Sequence, residues 1–221
     1  DRLASGVTLL AIGLFKKTVL AASMERLARP VFDAAALGSS IAWWEGMVGA
    51  VAFSFQLYFD FSGYSDIAVG LGGICGLTLP WNFNSPYKAV NIVDFWERWH
   101  ISLSRWLQTF LFTPLMLVLS RMAGSSKTLG VSQLTWAYAV ATIATMLLCG
   151  IWHGMGWTFL VWGLLHGVFL AVYRIFRDLH ARTAIRSVWM SRGITFAAVT
   201  MAAVVIGAPS MVAAANIWWA I

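Results

Sequence analysis

The chemistry in this sequence gathers around one histidine. His153 stands in Gly150-Ile151-Trp152-His153-Gly154-Met155-Gly156-Trp157, between two long hydrophobic segments and among glycines and tryptophans. An ionisable side chain at membrane depth is costly to keep there, so its presence points first to a functional role. A core histidine satisfied by its neighbours is the alternative. An imidazole with an ordinary pKa of about 6.5 is largely neutral at physiological pH, so the chemistry on offer is proton acceptance.

A second histidine, His100, lies in Asp94-Phe95-Trp96-Glu97-Arg98-Trp99-His100-Ile101-Ser102-Leu103-Ser104. Trp96, Trp99, Leu103, Trp106 and Phe110 recur at spacings of three and four, while Glu97, Arg98, Ser102 and Arg105 occupy another face. That pattern predicts an amphipathic helix over 92–112, lying at the interface or lining a cavity. Glu97, three residues before His100, would be able to orient its ring on such a helix; a plain interfacial histidine is the alternative. Two carboxylates, Asp60 and Asp66, sit in apolar context in Tyr58-Phe59-Asp60-Phe61-Ser62-Gly63-Tyr64-Ser65-Asp66. They suit acid–base work or a cation, or else a helix break at Ser62-Gly63 where each caps a helix or pairs with a basic residue elsewhere. The sequence holds no GxSxG elbow, HExxH pair or P-loop, and no cysteine or histidine spacing suits a metal. Without a nucleophile, His153 fits a general base that takes the proton of an acceptor hydroxyl while that oxygen attacks an activated acyl group directly.

The elements that must position these residues are membrane helices. Of 221 residues, 60% are hydrophobic and 11% charged, against about a quarter charged in soluble domains. The net charge of +6 comes from cations in the gaps between apolar runs, which suits topology-setting loops and excludes a nucleic-acid face. Cys75 and Cys149 read as packing residues. Spans are expected over 3–22, with Lys16 and Lys17 snorkelling or facing a bundle interior and the helix ending by Pro30, then over 41–58 from an aromatic anchor at Trp43-Trp44, and over 61–79. In Gly70-Leu71-Gly72-Gly73-Ile74-Cys75-Gly76, Gly72 and Gly76 are expected to pack helices closely. Spans over 134–149 and 157–173 form a hairpin with His153 at its turn. Each covers about 24 Å at 1.5 Å per residue, short of the roughly 30 Å hydrocarbon core, so the turn is expected to sit inside the membrane and to need Gly150, Gly154 and Gly156 for close packing. His166, about 20 Å along a helix from His153, is assigned to packing within Gly163-x-x-x-Gly167. Arg174, Arg177, Arg182, Arg186 and Arg192 against Asp178 predict a cytoplasmic loop, with His180 solvated in it. A last span from 194 ends or kinks near Pro209. The chain, opening at Asp1-Arg2-Leu3 and ending in Trp218-Trp219-Ala220-Ile221, reads as one membrane domain that is part of a longer protein.

The motifs together are specific. Asn84-Ser85-Pro86-Tyr87 leading into Asp94-Phe95-Trp96-x-Arg98-Trp99-His100-x-Ser102-Leu103-Ser104, then Gly150-x-Trp152-His153-Gly154 and Trp157-Thr158-Phe159-x-x-Trp162-Gly163-x-x-His166-Gly167, resemble the membrane-bound O-acyltransferase family. The likeness is greatest to its bacterial alginate O-acetyltransferase branch and more distant to teichoic-acid D-alanyl transfer proteins. One segment departs from the family pattern: Thr113-Pro114-Leu115-Met116-Leu117-Val118-Leu119 continues apolar after the His100 helix. The resemblance implies an all-α, polytopic helical bundle with interfacial or re-entrant helices in the bacterial inner membrane. It implies His153 as catalytic and His100 as a second site residue, with Trp152, Asp94, Glu97, Arg98, Trp99, Ser102 and Asn84 supporting them. It further implies no permanently bound cofactor, acetyl-CoA or another activated acyl donor as substrate, a polysaccharide acceptor and a periplasmic partner in polymer modification. Rival readings are D-alanyl, lipid or small-molecule transfer and, in another class, a proton- or cation-coupled transporter using Asp60, Asp66 and His153.

Overall fold

The structure, a computed structural model, describes residues 2–179 and 187–221. Its elements are helices apart from one short antiparallel hairpin, β1 (Lys127–Thr128) with β2 (Val131–Ser132), so the expected all-α class holds. Five helical stretches among the described residues have the length and composition to cross a membrane: Arg2–Ala36, Ile101–Met122, Gln133–His153, Trp157–Leu179 and Val188–Gly207. The described chain forms two compact units, one of residues up to Asn84 with Ala203–Ile221, the other Ser85–Ala202. His180, Arg182 and Arg186 lie outside the described residues.

In the first unit, α1 (Arg2–Phe15), a π-helical turn (Lys16–Ala21) and α2 (Ala22–Ala36) run without a stop. The helix does not end by Pro30, because Ala28, Val31, Phe32 and Ala35 form a buried stripe that carries it beyond the proline. The spans expected over 41–58 and 61–79 are a single helix, α3 (Trp43–Ile74), of 32 residues. Ser62-Gly63 does not break it: Gly63 is helical and lies so close to α1 that an added Cβ would stand 2.7 Å from the carbonyl oxygen of Gly13. Gly13 meets Gly63 in the same way, and Gly6 and Gly70 repeat the contact seven residues along each helix in the antiparallel sense. These glycines, rather than Gly72 and Gly76, make the close seam. Gly76 instead takes the left-handed conformation (φ 80°) that ends α3, where Leu77 N–H bonds to the Gly72 carbonyl. Cys75 beside it is exposed, whereas Cys149 is buried.

That seam brings the charges together. Lys16 Nζ lies 2.6 Å from Asp66 Oδ2, and Lys17 pairs with Asp60. The lysines therefore face the bundle, and the carboxylates are paired within α3 rather than placed at caps. α10 (Met211–Ala220) starts at Ser210, whose hydroxyl accepts the Ala213 N–H, and Asn216 Nδ2 donates to the Ala35 carbonyl.

The second unit holds α4 (Ile92–Arg98), α5 (Ile101–Leu107), a π-helical turn (Gln108–Phe112), α6 (Thr113–Met122), α7 (Gln133–His153), α8 (Trp157–Leu179) and the first part of α9 (Val188–Gly207). α7 and α8 have 21 and 23 residues, more than expected. At 1.5 Å per residue each covers more than about 30 Å, so the turn at His153 is not held short of a membrane face by helix length. The two helices touch backbone to backbone: a Cβ on Gly150 would overlap the Phe159 carbonyl, one on Gly163 the Met146 carbonyl, and one on Gly167 would stand 2.9 Å from Ile143 Cα. Gly154 is likewise needed, its Cβ position lying 2.5 Å from the Phe159 ring, whereas Gly156 makes only ordinary contact. Arg174 and Arg177 are on α8 and Arg192 on α9, so these three are helical rather than loop residues.

The Lys16–Asp66 pair has side chains only 25% and 12% exposed, so removing one partner strands a charge in poor solvent. Lys16→Met or Asp66→Leu alone is expected to cost about 3 kcal/mol, and the double substitution less than either. Thermal melts of the detergent-solubilised full-length protein check this; a double variant weaker than both singles would refute it.

Candidate active site

The site is built at two interruptions of helix. The first separates α4 from α5. Asn91 starts α4, its Oδ1 accepting the N–H groups of Val93 and Asp94 at 3.0 and 2.9 Å. Asp94 Oδ2 accepts the Val90 N–H at 3.0 Å, and its Oδ1 the Arg98 Nε–H at 2.5 Å. Asp94 and Arg98 thus hold the helix start and each other. The expected continuous helix over 92–112 does not form: Trp99 turns extended and His100 takes a left-handed conformation (φ 43°, ψ 55°). A non-glycine residue there is strained by roughly 1 kcal/mol or more. The Ser104 hydroxyl, donating to the Trp99 carbonyl at 3.1 Å, and the Ser104 N–H, donating to the His100 carbonyl, fasten the joint. The helical three-residue relation of Glu97 to His100 is lost with the break. Burial pushes the His100 imidazole down to about 4, and nearby His153 pushes the same way.

The second interruption ends α7 at His153. Its ring lies edge-on to Trp152 at 4.8 Å and to Trp162 at 5.1 Å. Contrary to the expectation of a sheltered group, His153 is exposed in this chain, because it closes a helix where the backbone turns away through Gly154. Trp152 is 66% exposed. The buried histidine is His166, 2% exposed. The 20 Å separation along one helix does not apply, since the chain reverses at Gly154–Gly156 and Trp162 bridges the two rings, 5.1 Å from His153 and 5.0 Å from His166.

An aromatic cluster continues from there. His166 Nδ1 accepts the Trp96 indole N–H at 3.3 Å, Phe95 stacks on His166 at 6.2 Å and on Trp99 at 5.6 Å. His153, His166, Trp152 and Trp99 are thus linked through one aromatic cluster, and Asp94, Arg98, His100 and Ser102 lie on or beside α4 and α5 of the same unit. Asn84, exposed, is the last residue of the other. Sequence reasoning missed Trp162, Trp96 and Phe95; the four-residue step from Trp162 to His166, which puts both on one face of a helix, was the available signal.

Beside this cluster lies a cavity of about 370 Å³ with Trp96, Glu97, Ser104, Tyr138, Thr142 and Met146 on its walls. The Thr142 hydroxyl is buried with no hydrogen-bond partner. Glu97 faces this cavity. No group of three or more potential metal ligands occurs among the described residues.

The profile of the membrane-bound O-acyltransferase family matches residues 3–212. The chain is 45% identical over 174 residues to the peptidoglycan O-acetyltransferase of Helicobacter pylori, which covers 79% of this chain and 30% of that protein. It is 41% identical to the probable alginate O-acetylase AlgI of Azotobacter vinelandii, over 84% of this chain and 34% of the relative. Its identity to the teichoic acid D-alanyltransferase of Streptococcus thermophilus is 32%, over 78% and 40% respectively. The chain thus spans 30% to 40% of the length of these relatives.

The depressed His100 pKa has a stability consequence. An unfolded chain takes up this proton near pH 6.5 and the folded one only near pH 4, so the stability carried by the neutral ring is full above about pH 6.5 and is lost as pH falls towards 4. The full-length protein in detergent is expected to melt lower at pH 5 than at pH 7, with His100→Gln narrowing the difference. An undiminished difference in the variant would count against the assignment.

Proposed function

We propose, from the premise that this chain belongs to the membrane-bound O-acyltransferase family, that it is part of an enzyme moving an acyl group onto a hydroxyl with His153 as general base. The observation that carries the proposal is the placing of an accessible imidazole, braced by two tryptophans, near a second imidazole held at a strained joint. A base must reach the proton it removes, and an exposed ring does so where a buried one does not.

In the proposed step His153 takes the proton of an acceptor hydroxyl as that oxygen attacks the carbonyl carbon of an activated acyl donor. The C–O bond forms, the bond from acyl carbon to the donor's leaving group breaks, and the leaving group departs with the pair of electrons. It then takes back the proton from His153, which restores the base. His100, neutral above about pH 4, is available to polarise or orient a reacting group without adding a positive charge that would oppose proton uptake at His153.

The donor in this reading is acetyl-CoA or another activated acetyl carrier, favoured by two relatives whose names specify O-acetyl transfer. The acceptor is a hydroxyl of an exported polysaccharide, reached through a periplasmic partner, and the enzyme lies in the bacterial inner membrane. The cavity beside Glu97, with mixed polar and apolar walls and the unpartnered Thr142 hydroxyl, offers room for a small polar-headed substrate portion. D-alanyl transfer remains the second reading, on the likeness to the teichoic acid D-alanyltransferase. A transporter built on Asp60 and Asp66 is disfavoured because both are paired with lysines.

Replacing His153 by Ala in the full-length protein is expected to lower acetylation of the polymer at least about 10²-fold with membrane insertion unchanged. Quantifying polymer-bound acetate in cells that make normal amounts of the variant tests it, and wild-type acetylation would remove His153 from the mechanism.

A further inference from the structure

The structure assigns His166 the role of a positioning residue for the proposed base, acting through Trp162; this rests on the general-base reading of His153. His153 ends a helix and is exposed, with two rings against it: Trp152 at 4.8 Å, itself 66% exposed, and Trp162. The buried wall it has is Trp162, 7% exposed and 5.1 Å away. Of the two rings only Trp162 is itself fixed in the core, so what holds Trp162 bears directly on the orientation of His153.

Trp162 lies 5.0 Å from His166 and 6.1 Å from Trp96. His166 is fixed by more than volume. An indole N–H can only donate, so the 3.3 Å contact from Trp96 Nε1 requires a lone pair on His166 Nδ1 and puts the ring proton on Nε2. Phe95 stacks on the same ring at 6.2 Å and Phe169 meets its edge at 6.0 Å. Gly163 and Gly167, on either side of His166 in sequence, lock α8 against the α7 backbone, so Trp162 has no freedom to slide along the end of α7.

The hydrogen bond also ties α8 to α4. Trp96 is four residues before His100 on the segment that delivers that histidine to its left-handed joint. One buried ring thus sets the position of both elements, Trp162 beside His153 on one side and the α4 end carrying Trp99 and His100 on the other. A leucine at 166 would fill space but accept nothing, leaving the Trp96 N–H unpaired in the core. An asparagine carries an oxygen as many bonds from the backbone as histidine Nδ1, and so restores the acceptor.

The test measures acyl transfer by the full-length protein in membranes, using radiolabelled acetyl-CoA as donor and varying its concentration. His166→Leu is expected to lower kcat about 10²-fold with KM within about twofold of wild type, the pattern of misplaced reacting groups rather than lost binding. His166→Asn should recover most of that loss. Trp96→Phe should lower kcat comparably and add little in the His166→Leu background, because both changes remove the same bond. Wild-type kcat in His166→Leu, or a loss that Asn leaves uncorrected, overturns the assignment and returns His166 to packing. Should the leucine variant accumulate poorly, Trp96→Phe decides: unchanged kcat overturns, a comparable drop supports. His153→Ala run alongside separates the two proposals. Activity there removes the base itself, whereas an inactive His153→Ala with a fully active His166→Leu removes only the role of His166.

Discussion

Backbone-to-backbone contact at glycine is the constraint on which each unit depends. Between apolar helices in a bilayer the hydrophobic effect gives little preference for one neighbour over lipid, so association rests on close packing. The α1–α3 seam uses Gly6 and Gly13 against Gly70 and Gly63, and the α7–α8 hairpin uses Gly150, Gly163 and Gly167. At each point a single added carbon would meet a neighbouring backbone, so the register of the pair is fixed to within one residue. Everything chemical follows from that register. Lys16 and Lys17 meet Asp66 and Asp60 because Gly13 meets Gly63, and Trp162 meets His153 because Gly163 meets Met146.

Ionisable groups in this chain are handled in two ways. The charges of the first unit are neutralised in pairs, which makes the 32-residue α3 tolerable despite two carboxylates in its second half. His153 and His166 of the second unit are instead placed among aromatic rings, where an uncharged imidazole packs at little cost. Pairing gives position without reactivity. The aromatic setting gives position to an uncharged ring.

One strained joint lies in the same unit as these rings. His100 is one of three described non-glycine residues with positive φ, and its joint is closed by Ser104 on both sides of the break. A continuous helix from Ile92 would have carried His100 onto the same stripe as Trp96. The break ends that stripe at Trp99. This departure from helical regularity falls on a residue that the family resemblance implies is part of the site.

Residue types and spacing alone determined the all-α membrane class and the hairpin around His153, and the motif residues carried the resemblance to the family. These are legible because hydrophobic run length, glycine placement and motif residues are local properties. The local pattern also misled in definite places. Pro30 and Ser62-Gly63 look like helix stops, yet burial against a neighbouring helix carries both segments through, and no local signal contains the neighbour. Tertiary structure alone decided that Asp60 and Asp66 are partnered by lysines more than 40 residues away, that His153 is exposed and His166 buried, and that Trp162 connects them. Each of these is a pairing between distant segments, set by which backbones approach closely enough, and a one-dimensional pattern carries the faces of a helix but not the identity of what each face meets.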